Sequence, residues 1–173
     1  MTKSVIAGAL ALLAMGVAGC GSSVTGGTGD GSGETGESAS PTSNAAAAID
    51  PCQTLKSADT AKLGVKGPGT PKRYAGAPGC DFKLAVGGIS VVVNSDKSVD
   101  ELNLTEGKVD AVSVAGVDGK RVRELVGPGD CGVFFPLSPK ESIAINATAR
   151  DTESACLAAQ EAAPLVLANL PKN

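Results

Sequence analysis

The clearest pattern in the chain is an alternation of apolar and polar residues that begins at Cys80. The segments "CDFKLAV" and "ISVVVN" predict two strands, and the Gly87-Gly88 pair between them is typical of a tight hairpin turn. The Gly- and Pro-rich segment 67–79 predicts a loop. Similar runs, separated by turn residues, predict further strands at 109–114, 121–126, 132–137 and 142–148.

Helical patterns stand at both ends of this strand region. Asp50 followed by Pro51 predicts a helix start, and Leu55 to Leu63 predicts a short, broken helix that ends at Gly64. A short helical turn is predicted at 98–104. The C-terminal segment from about residue 152 to 170 predicts an Ala-rich helix, capped by Asp151 or Thr152 and kinked at Pro164. The stripe expected to face the sheet is Cys156, Ala159, Ala163, Val166 and Leu170.

The order of these elements predicts the fold class. Consecutive strands with helices at both ends favour an α+β fold with an antiparallel sheet of about five strands. The N-terminal and C-terminal helices are expected to pack on one face of that sheet.

The first residues predict an export signal. Lys3 precedes an apolar stretch of about a dozen residues, which is shorter than the roughly 20 needed to span a membrane. The Gly/Ser/Thr-rich tract that follows Cys20 has little to bury and predicts a flexible tether. The expected division is a signal peptide at 1–19, Cys20 with its tether at 20–48, and a single domain at 49–173.

Composition narrows the possible functions. Removal of Lys3 leaves 14 Lys and Arg against 18 Asp and Glu, and this mildly acidic balance argues against nucleic acid as a partner. The chain has no His, which excludes Ser-His-Asp and Cys-His nucleophiles and imidazole metal sites, and we expect no metal or cofactor. Its few aromatic residues include Phe134 and Phe135, which would point to opposite faces of a strand.

The five cysteines leave one without a partner unless it has another role. The sequence Val17-Ala18-Gly19-Cys20 looks like the lipobox of bacterial lipoproteins, in which the cysteine receives a diacylglyceryl group and becomes the mature N-terminus. Three connectivities are then possible for the remaining four. We favour Cys52 with Cys80 and Cys131 with Cys156, because each pair would join a terminal helix to the start of a strand. A redox dithiol is disfavoured because the chain has no Cys-x-x-Cys.

Together these features resemble a known family. The lipobox, the tether, "DPC" at Asp50 to Cys52, Cys80 with Phe82 two places later, and a Cys in a final Ala-rich helix resemble the actinobacterial lipoproteins of domain-of-unknown-function family 3558. The resemblance covers essentially the whole chain. It implies an envelope lipoprotein with an α+β domain and carries no established activity.

Two groups of charged residues are candidate sites. Lys120, Arg121 and Arg123, with Lys108 close in sequence, predict a contact with an anion such as an envelope phosphate. The alternative is a solvated strand face whose charges discourage edge pairing. Similarly, the carboxylates of the segment 96–101 (Asp96, Asp100 and Glu101) form either an acid/base pair or the polar face and cap of a short helix.

The function expected from the sequence is that of a non-enzymatic binding domain. It would be held by the lipid on Cys20 to the extracytoplasmic face of the cell membrane, and would bind an envelope protein, an envelope polymer or a small ligand. One alternative is a cell-wall hydrolase or transferase that uses carboxylates alone. The other is an accessory or sensory subunit of a membrane complex.

Overall fold

The computed structural model describes residues 45–171, so the predicted leader 1–19, Cys20 and the tether up to residue 44 lie outside the described residues. The last part of the predicted tether, Ala45–Ala48, forms a 3-10 turn, and Ala46 is only 3% exposed. Its amide donates to Glu141 Oε1 at 3.3 Å. Within the described range, no helix has the length and apolar character to cross a membrane.

The described residues form an α+β fold around one antiparallel sheet of seven strands, where the sequence predicted about five. The order across the sheet is β1-β2-β3-β7-β6-β5-β4, so β7 lies between β3 and β6 and joins two meanders. The strands are β1 Thr70–Tyr74, β2 Ala77–Lys83, β3 Gly88–Asn94, β4 Lys108–Val114, β5 Val117–Arg123, β6 Asp130–Ser138 and β7 Glu141–Thr148.

The prediction of a loop at 67–79 is wrong, because β1 and the start of β2 occupy much of this segment. Pro71 is tolerated because β1 is an edge strand. The turn into β2 has positive φ at both Ala75 and Gly76, which is the backbone that matches the twist of a two-residue hairpin. The same Ala-Gly arrangement recurs before β5, which starts at Val117 and not at residue 121.

The helices are unequal in their contribution to the core. The helix α2, Thr152–Ala168, begins at Asp151, whose side chain accepts from the Ser154 amide at 2.8 Å, and it continues through Pro164. The helix α1, Ser57–Lys62, has no buried residue, so it does not pack on the sheet as the sequence predicted. The N-terminal contact with the sheet comes from the 3-10 turn Pro51–Gln53, in which Pro51 is buried.

The sheet has one face under α2, which we call the helix face, and an opposite open face. Most of the core lies on the helix face, where Phe135 and Ile145 are fully buried and pack with α2 residues such as Ala159. Leu170, predicted on the buried stripe, is half-buried beyond the end of the helix. On the open face a smaller cluster, which includes Phe134, packs under the β3–β4 connection, residues 95–107. Phe134 and Phe135 therefore do point to opposite faces, and both are buried.

Candidate functional site

A network of hydrogen bonds joins β1, β2 and β3 on the open face. Asp81 and Ser90 are direct cross-strand partners, and the Ser90 hydroxyl donates to Asp81 Oδ1 at 2.8 Å. The Tyr74 hydroxyl also donates to Asp81 Oδ1 and lies 2.9 Å from Ser90 Oγ. Lys72 Nζ is 3.3 Å from Asp81 Oδ2 and 5.2 Å from the centre of the Tyr74 ring. Both oxygens of the Asp81 carboxylate are thus engaged within the protein.

The network determines which of its groups carry charge. Burial by itself would raise the pKa of Asp81, but hydrogen bonds from Tyr74, Ser90 and Lys72 outweigh it, and the pKa lies below the usual value. For Tyr74, burial and then the hydrogen bond to Asp81 raise the pKa. The Lys72 pKa is raised, first by its hydrogen bond to Asp81. Near neutral pH the network therefore holds an anionic carboxylate, a cationic ammonium and a neutral phenol.

Beside this network lies a cleft of about 480 Å³, which we call the open-face cleft. Ser90, Asn146 and Thr148 lie on its floor, on the strands β3 and β7. Among the described residues, the side chains of Asn146 and Thr148 make no hydrogen bond, so the floor has free donors and acceptors. A volume of this size is in the range of small-molecule sites, roughly 300–1,000 Å³.

Two strand glycines make room for side chains of the open-face cleft. A Cβ atom on Gly79 would lie 2.8 Å from the Tyr74 ring, and one on Gly132 would lie 2.2 Å from Asn146 Oδ1. Both distances are shorter than a real side chain allows, so each glycine permits a close approach of its neighbour. Larger residues at these positions would displace Tyr74 or Asn146.

The wall at the β6 end of the cleft is a loop held by a buried carboxylate. Leu125 and Val126 line this wall, and the Val126 amide donates to Asp130 at 3.4 Å. Asp130 is 8% exposed, and burial raises its pKa against the opposing effect of the Val126 and Leu125 amides. Before the wall, Glu124 has φ +61°, a conformation that non-glycine residues rarely adopt.

Comparison with known proteins identifies a family for this chain. The family model described as "Protein of unknown function (DUF3558)" matches residues 15–169. The chain belongs to the DUF3558 family. No curated protein and no solved structure matches it.

In this DUF3558 chain the four cysteines of the described residues form two disulfides. Cys52 pairs with Cys80, which joins the 3-10 turn Pro51–Gln53 to β2, with Cα atoms 5.1 Å apart. Cys131 pairs with Cys156, which joins β6 to α2, with Cα atoms 4.9 Å apart. This is the connectivity that the sequence favoured. Both bonds lie on the helix face, away from the open-face cleft.

The predicted anion contact of the DUF3558 chain is not one cluster. Lys120 points to the face opposite Arg121 and Arg123, and its ammonium lies 2.6 Å from Asp100. Arg121 and Arg123 both contact Asp110 Oδ2, at 3.1 and 3.0 Å, and the hydrogen bond from Arg121 lowers the Asp110 pKa.

Lys108 is likewise paired, with Glu124 at 2.8 Å. Each of these basic groups therefore has an acidic neighbour, and Arg121 and Arg123 share the single carboxylate of Asp110. Such paired side chains are typical of a solvated strand face.

The carboxylates at 96–101 also have structural partners. Glu101 accepts hydrogen bonds from the Ser98 amide and hydroxyl, at 2.8 and 2.9 Å, and these bonds lower its pKa. Asp100 pairs with Lys120 across the open face. The structure thus uses Glu101 as the cap of the 3-10 turn Val99–Glu101 and brings none of these carboxylates into the open-face cleft.

Local sequence patterns do not reveal the open-face cleft, although they contain part of its signal. Asp81 and Ser90 occupy polar positions that alternate with core residues of β2 and β3, and Asn146 and Thr148 do the same on β7. Alternation places each on the face opposite the core. What brings them together is the insertion of β7 beside β3, which a chain of consecutive hairpins does not predict.

Proposed function

We propose that this protein is a lipid-anchored binding module of the cell envelope and that the open-face cleft is its ligand site. The observation that carries the proposal is the cleft itself, whose floor presents Asn146 and Thr148 without partners among the described residues. A concave site with a few uncommitted polar groups is the usual form of a small-molecule site.

The chemistry of the cleft favours binding over catalysis. Asp81 is held as an anion by its three partners, so it is a poor proton donor near neutral pH. Lys72 is held as a cation, so it is a poor nucleophile. Ser90 donates to Asp81, and the chain has no His to activate its hydroxyl. These groups suit the fixed recognition of a ligand.

The alternative of a hydrolase that uses carboxylates has one observation in its favour. Asp81 and Asp130 both line the open-face cleft, and their pKa values are shifted in opposite directions, as in acid/base pairs. However, the register places Asp81 three strands from Gly132, a Cα separation of about 14 Å, and Asp130 lies two residues beyond. Glycosidase carboxyl groups stand roughly 5–9.5 Å apart, and two short Asp side chains do not close this Cα separation to that range, so the pair does not suit that mechanism.

The anchor is proposed from Val17-Ala18-Gly19-Cys20 and its sequence context. Two acyl chains hold a protein durably on a bilayer, whereas one holds it only marginally. We expect wild-type protein to fractionate with membranes and the Cys20→Ala variant to be lost from them. Retention of the variant in the membrane fraction would overturn the anchor and leave the cleft proposal intact.

Binding at the cleft has a direct optical test. The chain has one Tyr and no Trp, and Tyr74 lines the open-face cleft, so its fluorescence reports on binding in that part of the protein. A library of small molecules should contain ligands that change Tyr74 fluorescence saturably in wild type and more weakly in Asn146→Leu. The control is Asn103→Leu, because Asn103 lies in the β3–β4 connection outside the cleft. A library without any such ligand would contradict the proposal.

A further inference from the structure

The open-face cleft has different chemistry at its two ends. We infer that its ligand is a small anionic amphiphile, with its negative head group at Lys83 and its apolar body between Phe134 and the wall formed by Leu125 and Val126. This inference rests on the proposed binding function and specifies the class of ligand. The head-group chemistry is that of a carboxylate or a phosphate monoester.

The cationic end lies on β1 and β2. Lys83 is exposed, lines the cleft and has no ion pair among the described residues. Lys72 also lines this end, but Asp81 already neutralises it. Lys83 is therefore the cation of the cleft that has no ion pair in the described part of the chain, and an ammonium of this kind attracts an anionic head group.

The apolar end lies at β6 and the loop before it. Val126 is 82% exposed, which is the largest exposure of any bulky apolar residue in the described part of the chain. It lines the cleft together with Leu125 and Phe134. An apolar group that binds here would bury the Val126 side chain, and each Å² of apolar surface removed from water would contribute about 25 cal/mol to binding. Asp130 also lines this end of the cleft, so any negative charge on it would direct an anionic head group toward Lys83.

The register gives the distance between the two ends. Lys83 pairs with Gly88, Gly88 with Thr148, and Thr148 with Asp130, so one transverse row crosses the cleft. Three strand spacings make this row about 14 Å long. Gly88 adds no side chain to the floor, and Thr148 adds a hydroxyl that has no hydrogen-bond partner within residues 45–171. A single medium-length chain with one head group fits this span.

The test uses ligands with one tail and different head groups. The full chain carrying Cys20→Ala removes the predicted lipid, so that no detergent is needed, and Tyr74 fluorescence and calorimetry report binding below micelle-forming concentrations. Decanoate and decyl phosphate should bind, and the comparison between them distinguishes the two anion sources. Decanol and decyltrimethylammonium should bind at least about tenfold more weakly than decanoate. Acetate and inorganic phosphate, which have no tail, should not bind.

Matched variants locate the two ends. Lys83→Met should weaken decanoate binding about tenfold, and Val126→Ser should weaken it several-fold. The controls are Lys62→Met in α1 and Val109→Ser in β4, which alter the same residue types at exposed positions outside the cleft and should leave binding unchanged. Circular dichroism of each variant confirms that the fold is retained.

Two results would overturn the inference. If decanol or the cationic amphiphile binds as tightly as decanoate, or if Lys83→Met has no effect on decanoate, the anionic head group is wrong while the cleft remains a binding site. If none of the amphiphiles changes Tyr74 fluorescence or releases heat, the ligand class is wrong as a whole. The library experiment described above then decides separately whether the cleft binds any ligand.

Discussion

The Ser90 hydroxyl on β3 donates to Asp81 Oδ1 on β2 at 2.8 Å, and the two residues are direct register partners. The polar network beside the open-face cleft is therefore built on the same hairpin whose other face supplies Cys80 and Val91 to the core. Alternation along two strands makes one segment serve both purposes. The disulfide at Cys80 restrains that hairpin from the helix face, so it supports the position of Asp81 indirectly.

The titration of Tyr74 gives the first prediction. Because the protein contains a single tyrosine, the tyrosinate absorbance should titrate with one midpoint, above the ordinary pKa of 10.0. Burial is the main cause, and the hydrogen bond to Asp81 adds to it. In Asp81→Asn the midpoint should fall toward 10.0, since the negative neighbour is removed. Asp118→Asn, on β5, is the control and should leave the midpoint unchanged.

The sign of the linkage follows from that shift. A phenol whose pKa is raised by folding contributes stability below its unfolded pKa, and this contribution is lost as pH rises through the folded pKa. Far-ultraviolet circular dichroism must therefore show that the fold persists at each pH used. A wild-type midpoint at or below 10.0, or one that Asp81→Asn does not move, would contradict the network.

Asp130 gives a second prediction, on stability. Burial raises its pKa in the folded protein, so the folded state favours the protonated carboxyl. Its favourable contribution is complete below the unfolded pKa of about 3.9 and is lost as pH rises through the folded value. The variant Asp130→Asn places no charge at this buried position, and its side-chain oxygen can still accept from the Val126 amide. It should therefore be at least as stable as wild type at neutral pH.

The measurement is the free energy of unfolding in urea, for wild type and Asp130→Asn, between about pH 3 and pH 8. The stability advantage of the variant should shrink as the pH falls. Asp96→Asn, an exposed carboxylate outside the cleft, controls for the overall change in charge. A variant that is less stable than wild type by the same amount at every pH would mean that the charge on Asp130 does not destabilise the folded protein.

Local patterns predicted much of the fold. The strand runs and the Gly87-Gly88 turn indicated the β2–β3 hairpin, and Asp50 and Asp151 cap the elements where their positions suggested. The missed strand β1 shows the limit of such rules. Pro71 argues against a strand in general, but only a central strand needs the amide that proline lacks, and β1 is at the edge.

The site was harder to predict for a different reason. The sequence drew attention to Lys120, Arg121 and Arg123 because they are adjacent, but adjacent strand residues point to opposite faces and these are paired with Asp100 and Asp110. The open-face cleft instead unites residues far apart in sequence, through the pairing of β3 with β7. Which residues meet in the cleft depends on the order of the strands in the sheet. Local periodicity along the sequence does not determine that order.

The two disulfides give a third prediction. The Cys131–Cys156 bond closes a loop with a sequence separation of 25, and the chain-entropy relation assigns about 3.5 kcal/mol to such a bond. The double variant Cys131→Ala/Cys156→Ala should lose stability of this order in urea unfolding. Binding at the cleft should persist where the variant is folded, because the bond lies on the helix face.

A thiol count checks the bonds independently of stability. Protein purified from membranes, denatured and left unreduced should show no reactive thiol from Cys52, Cys80, Cys131 or Cys156. More than one reactive thiol per chain would contradict the two-disulfide arrangement.

Phe134 and Phe135 give the final prediction, in which each residue is the control for the other. Phe135 is 0% exposed in the main core on the helix face, whereas Phe134 is 5% exposed in the smaller cluster and borders the open-face cleft. Phe135→Ala should cost about 3–5 kcal/mol of unfolding free energy, since it leaves a cavity in a closed core. Phe134→Ala should lower the unfolding free energy by less, because water can enter from the cleft. Of the two variants, only Phe134→Ala should weaken ligand binding in the cleft, as reported by Tyr74 fluorescence. If the two variants lose equal stability, or lose equal binding, the helix face and the open face do not have separate roles in stability and in ligand binding.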